Sequence, residues 1–184
     1  RPMPEERQEP DRPILRPLDY LFVLRPAALV PLWIFFAHTA RLAAGGLRGR
    51  AFVLFPSRET ALGLAVLTLI LAGGYLLNQI ADVETDRRND KLFFLARGII
   101  SPRAAAIEMA ALWIIAGILA MELPSRFLWW AALALVLSVT YSIAPVRAKA
   151  RFPLDLLWNG LGFGLVGAGA AWSLFGPVVP PVLL

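Results

Sequence analysis

Residues 60–86 read TALGLAVLTLILAGGYLLNQIADVETD. From Thr60 to Ala81 the run carries no charge. As a helix it is long enough to cross the hydrocarbon core of a bilayer, which takes ~20 apolar residues. It then ends in Asn78, Asp82 and Asp86, spaced i, i+4 and i+8. That spacing places all three on one helical face, with successive Cβ atoms ~5–6 Å apart. Asp90 extends the same stripe if the helix continues. Two carboxylates one turn apart can each give an oxygen to a small divalent ion. Mg2+ suits them, since it takes one or two carboxylates, keeps several waters and accepts phosphate oxygens. Asn78, one turn deeper, is placed to orient a ligand or a water.

The surroundings of this helix end matter as much as its spacing. Intramembrane acids by default face a bundle interior or a wet cavity. The loop that follows is basic, with Arg87, Arg88, Lys91, Arg97 and Arg103. Acid beside base fits an anion bridged by a cation, as in a Mg2+-diphosphate. The competing reading is a solvated cap of surface ion pairs. A second basic cluster, Arg147 and Lys149, follows the fourth apolar run just after Pro145, which should stop its helix. An arginine fork and a lysine point charge both suit phosphate oxygens. Positive-inside anchoring is the alternative there.

The chain has 184 residues, 58% of them hydrophobic, with a net charge of +5. The apolar residues collect in five runs, 20–40, 60–81, 104–122, 127–144 and 154–175, which predict an all-α, polytopic transmembrane bundle. Unpaired strand edges cannot face lipid. The absence of cysteine excludes disulfides and thiolate metal sites, and one histidine, His38, excludes a multi-histidine centre. Basic loops on a membrane protein read as membrane-surface charge, not as a nucleic-acid site. Residues 1–19 read as a cytoplasmic, disordered leader and 20–184 as the membrane domain. The segments around 1–16, 87–103 and 147–151 hold twelve basic residues, against five in 41–58 and at 126, which predicts a cytoplasmic N-terminus. The short link 122–125 predicts that the third and fourth spans are antiparallel neighbours. Gly160 and Gly164 form a GxxxG pair suited to close helix packing. Trp129 and Trp130 read as an interface belt, and the closing residues 176–184 as a loop entering a further span.

Three of these features together resemble the UbiA prenyltransferase superfamily. Asn78-x-x-x-Asp82-x-x-x-Asp86 is similar to its first aspartate-rich motif. Tyr141-Ser142-x-x-Pro145-x-Arg147-x-Lys149 is similar to the motif after its fourth helix, and Leu24-Arg25-Pro26 to its first-helix signature. The resemblance implies a nine-helix bundle, of which this chain supplies about five spans. It implies Mg2+ held by Asn78, Asp82 and Asp86 against the diphosphate of a polyprenyl donor. It also implies diphosphate contacts at Arg25, Lys91, Arg147 and Lys149, with Tyr141 near the reacting carbon. The implied activity is transfer of the polyprenyl group to a lipophilic acceptor within the bilayer. A phosphoribosyltransferase of the same superfamily, a transporter or ion-binding subunit, and an inert fragment are the alternatives. The family's second aspartate motif lies beyond the fifth helix. The rest of the site is therefore expected from further chain or from a second polypeptide. The loop after Asp86 departs from the family pattern: Leu92 to Ala96 are apolar where an Asn-Arg-Pro run, with its basic contact, is expected.

Overall fold

The structure, a computed structural model, describes residues 16–44 and 57–176. All regular elements among them are helical. A short α1 (Arg16–Phe22) precedes α2 (Pro26–Ala43), α3 (Arg58–Arg88), α4 (Pro102–Ala120) and α5 (Ser125–Ser142). A 3-10 turn, Ala148–Ala150, leads into α6 (Leu154–Asn159), which runs through a π-helical segment (Gly160–Val166) into α7 (Gly167–Ser173). Three helices, α2, α3 and α4, are each long and apolar enough to cross a membrane. The expected leader, the arginines of 45–56 and the closing residues 177–184 lie outside the described residues, save that 16–19 begin α1.

Local chemistry sets the helix limits. The Ser57 hydroxyl accepts from the Thr60 N–H at 3.2 Å, capping α3, and the Ser101 hydroxyl accepts from Ala104 at 3.1 Å, capping α4. Each cap satisfies one amide that the first turn would leave unpaired. Arg87 and Arg88 close α3, where cations complement the helix dipole. The first apolar run is split, contrary to the continuous span expected over 20–40. Pro26 disfavours helical backbone at the residue before it. Arg25 accordingly takes a left-handed conformation, φ 56°, and α2 starts afresh at Pro26.

α3 is the central element. At 31 residues it is about 46 Å long, against ~30 Å of hydrocarbon. Its last turns, with Asp82 and Asp86, therefore extend past the apolar core. α4 and α5, joined by the tight link 122–125, do touch, but both pack on α3 far more than on each other. Gly73 lets α4 approach: a Cβ there would lie 2.3 Å from the Trp113 indole nitrogen, which donates to the Ile70 carbonyl at 3.1 Å. Gly169 does the same for Trp130, which is thus a packing residue, whereas Trp129 stays 79% exposed. Gly160 and Gly164 do not play the packing role expected of them within the described residues, for no described atom lies within 4 Å of a Cβ built on either.

Two apolar clusters result. The larger joins Phe36, Leu67, Ile70, Phe127 and Ala170 in the body of the bundle. The smaller joins Val23, Leu76, Leu95, Ile100 and Ala105 at the end where α3 carries its acids. The apolar loop after Asp86 thus has a structural use: Leu95 is 1% exposed and Ile100 is 2% exposed.

Candidate active site

Three pieces of chain meet at the end of α3, two of them consecutive in sequence. The first is α3 itself, with Asn78, Asp82 and Asp86 on one face. The second is the turn after α5. There Ile143 is extended, and the chain passes through a cis Ala144–Pro145 bond to Arg147, in left-handed conformation at φ 42°. This turn returns Arg147 and Lys149 to α3. Lys149 Nζ donates to Asp82 Oδ2 at 2.6 Å, and Arg147 Nη2 donates to Asp82 Oδ1 at 3.1 Å. The third is the loop after α3, where Lys91 Nζ lies 2.8 Å from Asp86 Oδ1. The Asp86 side chain is 5% exposed, and the same Oδ1, though at ion-pair distance, takes no aligned hydrogen bond. These carboxylates are not a solvated cap: Asp82 and Lys149 are only 19% and 12% exposed.

Arg25 enters from the α1–α2 break. Its backbone is fixed by neighbours, since the buried Gln79 side chain donates to the Val23 carbonyl at 2.9 Å and Tyr75 Oη donates to the Ala28 carbonyl at 2.9 Å. The Arg25 guanidinium lies 5.0 Å from the Phe93 ring centroid and 5.9 Å from that of Tyr75.

Below the acids is a cavity of about 180 Å³. Arg25, Asn78, Tyr75, Tyr141, Trp158 and Asn159 are among its lining, and Leu32, Leu67, Ile70, Leu71, Phe163 and Val166 make its lining predominantly apolar. Trp158 is fixed by donating to Thr140 Oγ1 at 2.9 Å. Of the eight residues singled out from sequence, Arg25, Asn78 and Tyr141 line this cavity. Asp82, Arg147 and Lys149 form one ion-paired group, and Asp86 and Lys91 form the next. Asp90 leaves the stripe, because α3 ends at Arg88 and Asp90 is left-handed at φ 50°. His38 is exposed on α2. Sequence reasoning passed over Tyr75, Phe93 and Asn159. Tyr75 sits i−3 from Asn78, which is the signal that places it on the same face.

The donor chemistry fits a hard divalent cation. Asp82 and Asp86 offer carboxylate oxygens one turn apart, and Asn78 offers an amide oxygen. Among the described residues no group of three or more His, Cys, Asp or Glu side chains could hold a metal alone. Mg2+ fits such a set when phosphate and water complete its coordination.

Fold and site together define an α-helical membrane protein in which an acidic helix end, ion-paired with bases from two segments, adjoins an apolar cavity. Residues 32–184 match the UbiA prenyltransferase family, and the chain belongs to that family. No curated protein matches it by sequence. Among solved structures it is similar to a UbiA homolog from Archaeoglobus fulgidus bound to GPP and Mg2+. That match has a TM-score of 0.73 and 25% identity, covering 90% of this chain and 56% of that one. The same homolog bound to DMAPP and Mg2+ gives a TM-score of 0.73 and 24% identity, covering 90% and 57%. A digeranylgeranylglyceryl phosphate synthase gives a TM-score of 0.71 and 21% identity, covering 87% and 55%. The chain thus spans a little over half the length of these proteins.

Proposed function

We propose that this chain forms one wall of a Mg2+-dependent intramembrane prenyltransferase site, which moves a prenyl group from its diphosphate to a lipophilic acceptor. One observation carries the reading: Asp82 and Asp86, each paired with cations from other segments, stand at the end of an apolar cavity. The similar A. fulgidus homolog, bound to GPP and Mg2+, supports the same ligand class.

Asp82, Asp86 and Asn78 would hold Mg2+, which when bound supplies charge neutralisation at the leaving diphosphate. Arg147, Lys149, Lys91 and Arg25 bind the diphosphate oxygens. The first three now neutralise Asp82 and Asp86, and a diphosphate offers them a second anion. As the allylic C–O bond breaks, its electron pair leaves with the diphosphate, and these cations stabilise the charge that develops there. The faces of Tyr75, Tyr141 and Trp158 attract the allylic cation, and the apolar lining keeps water from it. A nucleophilic atom of the acceptor then bonds to the allylic carbon and loses its proton. The apolar lining favours a hydrocarbon tail over a sugar diphosphate donor. The bases beside the acids favour a cation–anion pair over a transported cation alone. With the N-terminus cytoplasmic, as the basic loops favour, the diphosphate end of the site faces the cytoplasm.

The test is Mg2+-dependent diphosphate release from geranyl diphosphate by the protein in lipid nanodiscs. Asp82→Ala with Asp86→Ala should lower it at least about a hundredfold, the scale for losing a main electrostatic element of a site. Unchanged release in that double variant would overturn the assignment.

A further inference from the structure

The loop after α3 has an apolar stretch where a basic contact was expected, and its packing shows how that is accommodated. Leu95 is buried in the smaller cluster and Phe94 packs against it. Phe93 is used differently. Its ring receives two cations: the Arg25 guanidinium 5.0 Å from the centroid and Lys91 Nζ at 5.6 Å. One comes from the α1–α2 break and the other from the start of the loop itself. Both belong to the group placed around the diphosphate.

We propose that Phe93 is a positioning residue, an aromatic clamp that holds Arg25 and Lys91 ready for the diphosphate. This rests on the prenyl-diphosphate reading above. Two like charges meeting at one anion site repel each other while the site is empty. A ring face is negative and attracts both, most where water is partly excluded. Arg25 is also restrained by the Tyr75 ring, and Lys91 by Asp86. The loop that carries Phe93 is itself held by turn hydrogen bonds. The Arg97 N–H donates to the Phe93 carbonyl at 2.9 Å and the Ile99 N–H donates to that of Phe94 at 3.0 Å. The ring therefore lowers the ordering cost of two long side chains before ligand arrives, and its effect falls on affinity rather than turnover.

The experiment measures geranyl diphosphate binding with Mg2+ by calorimetry, using the protein in nanodiscs. Phe93→Leu keeps an apolar side chain and removes the ring face; Phe93→Trp keeps a face. Phe93→Leu should weaken binding by about tenfold, the scale of two cation–π contacts, and raise KM with kcat little changed. Phe93→Trp should restore binding. In an Arg25→Gln, Lys91→Gln background, Phe93→Leu should add little, because the contacts it removes are already gone. Wild-type affinity in Phe93→Leu overturns the clamp. So does an equal loss in both backgrounds, or a loss tracked by a lowered unfolding temperature that tryptophan does not rescue, since each marks plain packing. If the wild type binds no geranyl diphosphate while remaining folded, the prenyl-diphosphate reading falls and the clamp with it. Binding that ignores the ring removes the clamp alone.

Discussion

Asp82 accepts two basic side chains, from Lys149 at 2.6 Å and Arg147 at 3.1 Å, so any cation must compete with them for the carboxylate. Lys149→Met should therefore have opposite effects on two ligands. Diphosphate binding should weaken by about tenfold or more, the scale of one charge-assisted hydrogen bond, while Mg2+ alone should bind more tightly. Titration of each ligand separately checks this, and a parallel loss of both would instead mark damage to the site. Gln79 tests the support of Arg25. It is 3% exposed and holds the buried Val23 carbonyl. Gln79→Leu should cost ~1–3 kcal/mol in thermal or denaturant unfolding, because that carbonyl loses its partner. At this scale the acids were legible in the sequence, since a four-residue spacing on a long apolar helix has one geometric meaning. Phe93 was not. Its role depends on Arg25 arriving from 68 positions away in the chain, across a break that only the fold brings alongside. Asp90 depended on the helix continuing, and the spacing alone does not show that α3 stops at Arg88.

The elements show which sequence patterns carry packing information. The apolar runs located the helices well, because bilayer crossing demands length and composition that few other structures need. The break at Arg25 was also written in the sequence, by Pro26, but hydropathy alone reads through it. Glycine spacing was a poorer guide. The GxxxG pair at Gly160 and Gly164 faces no described atom, while Gly73 and Gly169 accept two partly buried indoles. Their partners, Trp113 and Trp130, lie on other helices, and no local pattern names them. Gly73→Ala should destabilise the bundle by ~1–3 kcal/mol, the usual range for overpacking a tight contact. Gly117→Ala, where a Cβ meets nothing within 4 Å, should be neutral or slightly stabilising, since alanine favours helix. Thermal unfolding of the two variants side by side reads the difference.

For the whole molecule, the ion pairs place the ends of α3 and α5 at one end of the bundle, as the basic loops predicted. The cysteine-free chain makes the orientation directly testable. Single cysteines at Leu92, Phe152 and Met121, which are 75%, 85% and 79% exposed, report on different loops. In oriented vesicles Leu92→Cys and Phe152→Cys should react with an impermeant maleimide from the cytoplasmic side, and Met121→Cys from the other. The central claim is that Asp82 and Asp86 make a joint cation–diphosphate site with the bases around them. Its most direct test is the affinity of the nanodisc-held protein for geranyl diphosphate, measured with and without Mg2+, in the wild type and in Asp82→Asn with Asp86→Asn. The wild type should bind at least about tenfold more tightly with Mg2+ than without, the increment of ~1.4 kcal/mol, and the double variant should lose that difference. Mg2+-dependent binding that survives in the double variant would contradict the account.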